Sequence, residues 1–107
     1  MIILICGTKL QEDWKSVVPR LGKNRIGFVS NLPQEIKNNI DAEVAINSTM
    51  FKTPHLFEKP SPWMIWVALH KMGVDNYRNV FLIGEDDNDE RAALNAGIGF
   101  VHIKHLN

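Results

Sequence analysis

The chain is expected to fold as an α/β protein, a five-stranded parallel sheet with helices on both faces. Three observations predict this. Short apolar runs alternate with helix-period segments five times along 107 residues. The first and fourth runs are apolar throughout, as suits strands buried on both faces. The breaks between segments fall at glycine and proline. A strict βα alternation leads to a parallel sheet with right-handed crossovers.

Ile2–Cys6 is the first strand, and Gly7 ends it. Leu10, Trp14, Val17, Val18 and Leu21 then recur at helical spacing, with Pro19 and Gly22 limiting that helix. Ile26–Val29 is the second strand, with Ser30-Asn31 at its C-terminal edge. Pro33 suits the first turn of a helix reaching about Asn39. Glu43–Ile46 is the third strand, and Asn47–Glu58 has no clear period and reads as a loop.

Ser61-Pro62 opens the next helix, with serine as the cap and proline at the first helical position; Gly73 closes it. Val80–Ile83 is the fourth strand. Asp87 or Asn88 can cap a short helix running through Asn95, and Gly97 stops it. Phe100–Ile103 is the fifth strand.

The length predicts one domain over residues 1–107, large enough to bury roughly 65% of its unfolded surface. Twelve basic and twelve acidic residues balance. No basic footprint for nucleic acid is visible, and nothing steers the chain as a whole toward an anionic membrane. The single cysteine, Cys6, excludes an internal disulfide and points to a reducing, cytoplasmic setting. The N-terminal apolar run has no basic region before it and is too short for a leader or a membrane span.

In open parallel sheets, ligands bind at the C-terminal strand ends. Those ends carry Cys6–Thr8, Ser30-Asn31, Asn47-Ser48, Gly84–Asp89 and Lys104-His105. Glu85, Asp86, Asp87 and Asp89 crowd one strand-to-helix turn, where their mutual repulsion must be offset. A bound cation is one offset, and Mg²⁺ would need only two or three protein oxygens. Helix N-terminal amides are another, and a solvated acidic cap needs no ligand. Lys59 precedes Pro-Ser-Pro, a rigid turn that could hold its charge in a defined place for a phosphate; alone it reads as a surface lysine. Ser30 and the amides after it could bind an anion, although alone an ordinary turn serine explains it better. His55, His70, His102 and His105 show no metal-ligand spacing.

Taken together, these features resemble the haloacid dehalogenase (HAD) superfamily of phosphohydrolases, from about Ile26 to the end of the chain. The resemblance implies a Rossmannoid three-layer sandwich with a strand order of 5-4-1-2-3, and the 23 residues between Cys6 and Ser30 leave little room for a cap domain. It implies that Ser30, in Gly-Phe-Val-Ser-Asn, binds phosphate with Asn31 beside it. Lys59, in Lys-Pro-Ser-Pro, would neutralise that phosphate. Gly84, Glu85 and Asp89 match a glycine, an acid, three residues and an aspartate, so Glu85 and Asp89 would hold Mg²⁺, with Asp86 as a further ligand. Ala92, Ala93, Ala96 and Gly97 complete the pattern.

The departure lies at the first strand. The family places an aspartate nucleophile there, then any residue, then a second aspartate, usually before Gly-Thr. This chain has Leu4-Ile5-Cys6-Gly7-Thr8. Aligning Gly-Thr puts Leu4 at the nucleophile, whereas aligning the strand end puts Cys6 there. The second alignment is preferred because it leaves five apolar residues for the strand. In neither is a carboxylate available, and Glu12 and Asp13 fall beyond the turn. A buried, inert thiol is the simpler reading of Cys6, since a thiol has a pKa near 8.5 and sulfur ligates Mg²⁺ poorly.

The sequence therefore predicts a HAD-like protein with little or no hydrolytic activity. It would keep a phosphate and a weak Mg²⁺ site in a binding or regulatory role, with a phosphorylated small molecule as a candidate ligand. An active phosphohydrolase using Cys6 is the alternative, and an assembly module with neither ligand is a third. A receiver-like domain would want a phosphoacceptor aspartate after the third strand, where this chain has Asn47-Ser48.

The helix after Pro62 adds an independent expectation. Ile65, Leu69 and Met72 form one apolar stripe with Trp66 beside it, while Trp63, Val67 and His70 form another. One sheet face covers one stripe. The second stripe is either core or a contact for a homodimer or another protein, with Phe51, Leu56 and Phe57 nearby in sequence.

Overall fold

Strand pairing places β1, Ile2–Ile5, at the centre of a five-stranded sheet. In the computed structural model, which describes residues 1–6, 24–31 and 42–106, β1 pairs in parallel with β2, Arg25–Ser30, and with β4, Val80–Gly84. Outside them lie β3, Val44–Asn47, and β5, Gly99–His102, also parallel. The order β3-β2-β1-β4-β5 is the expected 5-4-1-2-3 read from the other edge.

Apolar residues on both faces explain why β1 is central. Ile3 and Ile5 join Ile26, Phe28 and Ile83 in one buried cluster. Leu4 and Cys6 join Val29, Val80 and Leu82 in another, larger one. Among the described residues, helices α2 and α3, counted after a four-residue helix α1, Pro54–Phe57, pack over this larger cluster. Helix α2, Trp63–Lys71, lies on β2 and β3, and α3, Asp87–Ala96, lies on β4 and β5. Met64, Ile65, Ala68 and Leu69 from α2 meet Ala92, Ala93 and Ala96 from α3 in this core. The alanines let α3 lie close to the sheet. The helices expected at Leu10–Leu21 and Pro33–Asn39 lie outside the described residues, as do Gly7, Thr8, Glu12 and Asp13.

Local chemistry moves several boundaries. Helix α2 starts at Trp63, one residue after the expected start, and Pro62 occupies its N-cap position without a side-chain cap. The backbone of Pro62 is already helical, and its carbonyl accepts from Trp66 N at 3.1 Å. The Ser61 hydroxyl still accepts from Trp63 N, at 3.4 Å. Helix α3 is capped by Asp86, not by Asp87 or Asn88. Asp86 is extended, so its carboxylate can turn back to Asp89 N at 2.9 Å, while Asp89 Oδ2 accepts from Asp86 N at 3.4 Å. This reciprocal box satisfies two orphan amides at once. Both α2 and α3 stop at left-handed glycines, Gly73 and Gly97 (φ 71° and 79°), a backbone state that costs glycine little.

The segment expected as a loop holds two short elements, a 3₁₀ turn at Ser48–Met50 and helix α1. Asn47 caps the first through Thr49 N at 3.1 Å. Both are too short to show a period. Strand β5 runs from Gly99 to His102 and not to Ile103, because its partner β4 ends at Gly84, opposite His102. Ile103–Leu106 turns instead into a 3₁₀ helix.

Candidate functional site

The C-terminal strand ends bring together residues that are distant in sequence. Cys6 continues the line of β1, with its amide donating to Ile83 O at 3.1 Å. Its side chain is fully buried, and the thiol donates to the same carbonyl at 3.2 Å. The thiol also lies against the Asp89 carboxylate, with the Lys59 ammonium close enough to act on it. Burial pushes the Cys6 thiol well above its usual pKa, and the neighbouring Lys59 charge only partly opposes that.

Lys59 is held in place from three sides. Its amide donates to Asn31 Oδ1 at 2.8 Å. The carbonyl of Pro60, which follows a cis peptide bond, accepts from Asn95 Nδ2 at 3.0 Å. Its ammonium forms an ion pair with Asp89 Oδ1, and both side chains are nearly inaccessible, at 9% and 3% exposed. Burial works against each charge, and the surroundings outweigh it. The Lys59 pKa is raised by the carboxylates of Asp89 and Asp86, and the Asp89 pKa is lowered by Lys59 and by the Glu85 amide.

The acidic turn divides by burial. Asp89 is buried, and its Oδ2 accepts from Glu85 N at 3.0 Å as well as from Asp86 N. Glu85, Asp86 and Asp87 are exposed. Gly84 is required here, since a Cβ at that position would stand 2.6 Å from Asp89 Cβ.

Ser30 is buried at the end of β2, in register with Asn47 of β3. Asn31 next to it uses its side-chain oxygen to hold Lys59, and its carbonyl accepts from the Ser48 hydroxyl. Ser48, Asn95 and Trp66, whose Nε1 donates to Ala96 O at 3.1 Å, had no marked role in the sequence. Each is a polar group satisfying a distant backbone carbonyl, and such pairings leave no local pattern.

The structure thus brings Cys6, Asn31, Lys59 and Asp89 together, with Asp86 near enough to act on the first and third electrostatically. Glu85 joins through its backbone amide. Trp63, Val67 and His70 belong to another part of the molecule. Trp63 is 53% exposed, Val67 is half-buried against the core and His70 is exposed. The Trp63 ring packs on Phe57 (centroids 6.4 Å apart) and edge-on to Trp66 (5.3 Å), and Phe57 stacks on Phe51 at 3.8 Å.

Of the expected Mg²⁺ ligands, Asp89 is already engaged, whereas the Glu85 carboxylate is exposed at the rim. Asp89 Oδ1 is engaged by Lys59, Oδ2 by two amides, and Asp86 Oδ1 by the Asp89 amide. Among the described residues no cluster of three His, Cys, Asp or Glu side chains is disposed to hold a metal.

The sheet is parallel throughout, and a lysine and an acidic turn meet beside the end of its central strand. Residues 56–105 match the sequence model of the HAD-hydrolase-like family. The fold is similar to a HAD-superfamily hydrolase of subfamily IA, variant 1, from Geobacter sulfurreducens (TM-score 0.68, 18% identity, 85% of this chain and 45% of that one). It is also similar to a HAD-superfamily hydrolase from Ehrlichia chaffeensis (TM-score 0.56, 24% identity, 88% and 42%). A third similar structure is a protein proposed as a phosphoglycolate phosphatase from Lactobacillus plantarum (TM-score 0.62, 23% identity, 74% and 40%). The chain spans under half the length of each. No curated protein matches the sequence. The family match over residues 56–105 and the shared sheet order make the chain similar to HAD-like hydrolases in sequence over that stretch and in fold.

Proposed function

We propose that this protein is a HAD-fold domain that does not hydrolyse phosphate esters and has a binding or regulatory role at the Ser30, Asn31 and Lys59 edge of its sheet. The observation that carries this reading is Cys6. A buried thiol, donating to Ile83 O and lying against Asp89, stands at the end of the central strand. A nucleophile there would have to ionise, and both burial and the adjacent carboxylate oppose a thiolate. The same facts weigh against the alternative, an active phosphohydrolase with Cys6 as nucleophile.

The ligand class that suits the edge is a phosphorylated small molecule. Lys59 supplies the cation, and Ser30 and Asn31 at the end of β2 supply polar groups. Binding would require the Lys59 ammonium to be shared with, or drawn away from, Asp89. Any Mg²⁺ binding would be weak, because it would have to take Asp89 from Lys59. Tungstate or phosphate titration followed by amide chemical shifts tests this reading. Shifts confined to Ser30, Asn31 and Lys59, lost in Lys59→Met, support it; no saturable shift there sinks it.

No helix among the described residues is long and apolar enough to cross a membrane. The one cysteine suits a cytoplasmic setting. A partner contact through Trp63, as homodimer or with another protein, is a second reading, favoured by its exposed indole in an aromatic cluster.

A further inference from the structure

We infer that the cavity at the outer edge of the sheet, beside β5, binds a small zwitterion: a free α-amino acid with an apolar side chain. This site is separate from the Ser30, Asn31 and Lys59 edge and does not rest on the function proposed there.

The cavity holds about 480 Å³ and is lined by Glu90, Phe100, Val101, His102, Lys104 and His105. That volume suits a small-molecule site. Strand β5 is the last in the sheet, with β4 on one side of it. Side chains alternate along a strand, so Phe100 and His102 take one face and Val101 the other. Phe100 packs against the larger core cluster and Val101 against the smaller one, and both stay half-buried. The cavity therefore wraps the strand edge and has an apolar floor.

Its polar groups are of both signs. His102 Nδ1 accepts from Lys104 N at 3.1 Å. A neutral imidazole that accepts at Nδ1 carries its proton on Nε2. His102 thus offers an N–H donor and no lone pair for a metal. The His105 ring stands nearly perpendicular to it, with centroids 6.3 Å apart. The 3₁₀ turn Ile103–Leu106 brings Lys104 and His105 round to the cavity. Lys104 and Glu90 face the same space, yet neither has an ion-pair partner among the described residues. A guest carrying both charges satisfies both.

The neighbouring acids narrow the choice. Gly84 pairs with His102, so the exposed carboxylates of Glu85, Asp86 and Asp87 follow directly beside the cavity. Together with Glu90 they disfavour a lone anion such as phosphate, and a guest must bring its own cation. An α-amino acid does so. Its carboxylate takes Lys104 and the His102 Nε2–H, its ammonium takes Glu90, and its side chain lies on Phe100 and Val101.

Leucine titrated into the isotope-labelled full chain, followed by amide shifts, tests this. Shifts at Glu90 and Val101–His105 should saturate at millimolar leucine. Glu90→Gln and Lys104→Met, both at exposed positions, should each weaken binding about tenfold, since each removes one charge-assisted contact. Isocaproate, which lacks the ammonium, and isoamylamine, which lacks the carboxylate, should be weaker than leucine by a similar factor. Absence of a saturable shift at this edge overturns the inference. Isocaproate or inorganic phosphate binding there as tightly as leucine also overturns it, since the cavity would then be a plain anion site. Leucine binding unchanged in both variants overturns it as well.

Discussion

The Lys59 ammonium and the Asp89 carboxylate form a buried ion pair that ties the segment before α2 to the first turn of α3. The pair crosses from the β3 side of the sheet to the β4 side, directly beside the end of β1. It joins the two halves of the described core at the C-terminal ends of the strands.

Removing one partner of that pair should be costly. Lys59→Met leaves Asp89 buried with two amides and no cation, and Asp89→Asn leaves a buried ammonium without a counter-charge. Each is expected to lose about 3–5 kcal/mol of stability, measured by chemical denaturation. The double variant should lose much less than the sum, since neither charge is then stranded.

The pH dependence of stability follows from three groups. Asp89 has a lowered folded pKa, so its contribution is present above the unfolded value near 3.9 and fades as pH falls through the folded value. Cys6 has a raised folded pKa, so stability declines once pH exceeds about 8.5, where the unfolded thiol ionises and the folded one does not. Lys59, also raised, contributes below about 10.4 and loses that contribution at higher pH. Urea midpoints measured across pH should show a plateau between about 5 and 8. Cys6→Ala should flatten the first part of the alkaline decline, and an unchanged decline would assign it to other groups.

Gly84→Ala should damage the site without touching a charged group. The added methyl would stand 2.6 Å from Asp89 Cβ and 2.7 Å from its Oδ2, so the carboxylate must move away from Lys59. A loss of about 1–3 kcal/mol is expected, as for overpacking elsewhere. Full stability in this variant would mean that the α3 turn can shift freely.

The two tryptophans of α2 should behave differently. Trp66→Phe removes the bond to Ala96 O and should cost about 1 kcal/mol of monomer stability. Trp63 is half exposed, so Trp63→Ala should leave the monomer folded. If Trp63 anchors a partner copy, that change should weaken association by roughly thirtyfold, a hot-spot loss of about 2 kcal/mol. Light scattering across a dilution series reads this, and a wild-type monomer at every concentration removes the homodimer.

The sheet was legible because its strands are apolar runs bounded by glycine and proline. The alternation of Leu4 and Cys6 with Ile3 and Ile5 between two clusters follows from period two alone. The stripe of Ile65, Leu69 and Met72 was legible for the same reason, and all three are buried. The Asp86–Asp89 box was not anticipated because four acidic residues share the turn and every one of them can cap. Burial selected Asp89, and the sequence does not encode which carboxylate turns inward. The clip that holds Lys59, through Asn31, Ser48 and Asn95, joins side chains to backbone carbonyls and amides across the fold, and single residues carry no periodic trace of it.

Phosphate release from an aryl phosphate, followed with the purified full chain and Mg²⁺, tests the central claim most directly. With a buried thiol at the end of β1 and the Lys59 and Asp89 charges paired with each other, the account predicts release no faster than in buffer alone. Saturable release that disappears in both Cys6→Ser and Asp89→Asn would contradict it and make Cys6 the nucleophile of an active enzyme.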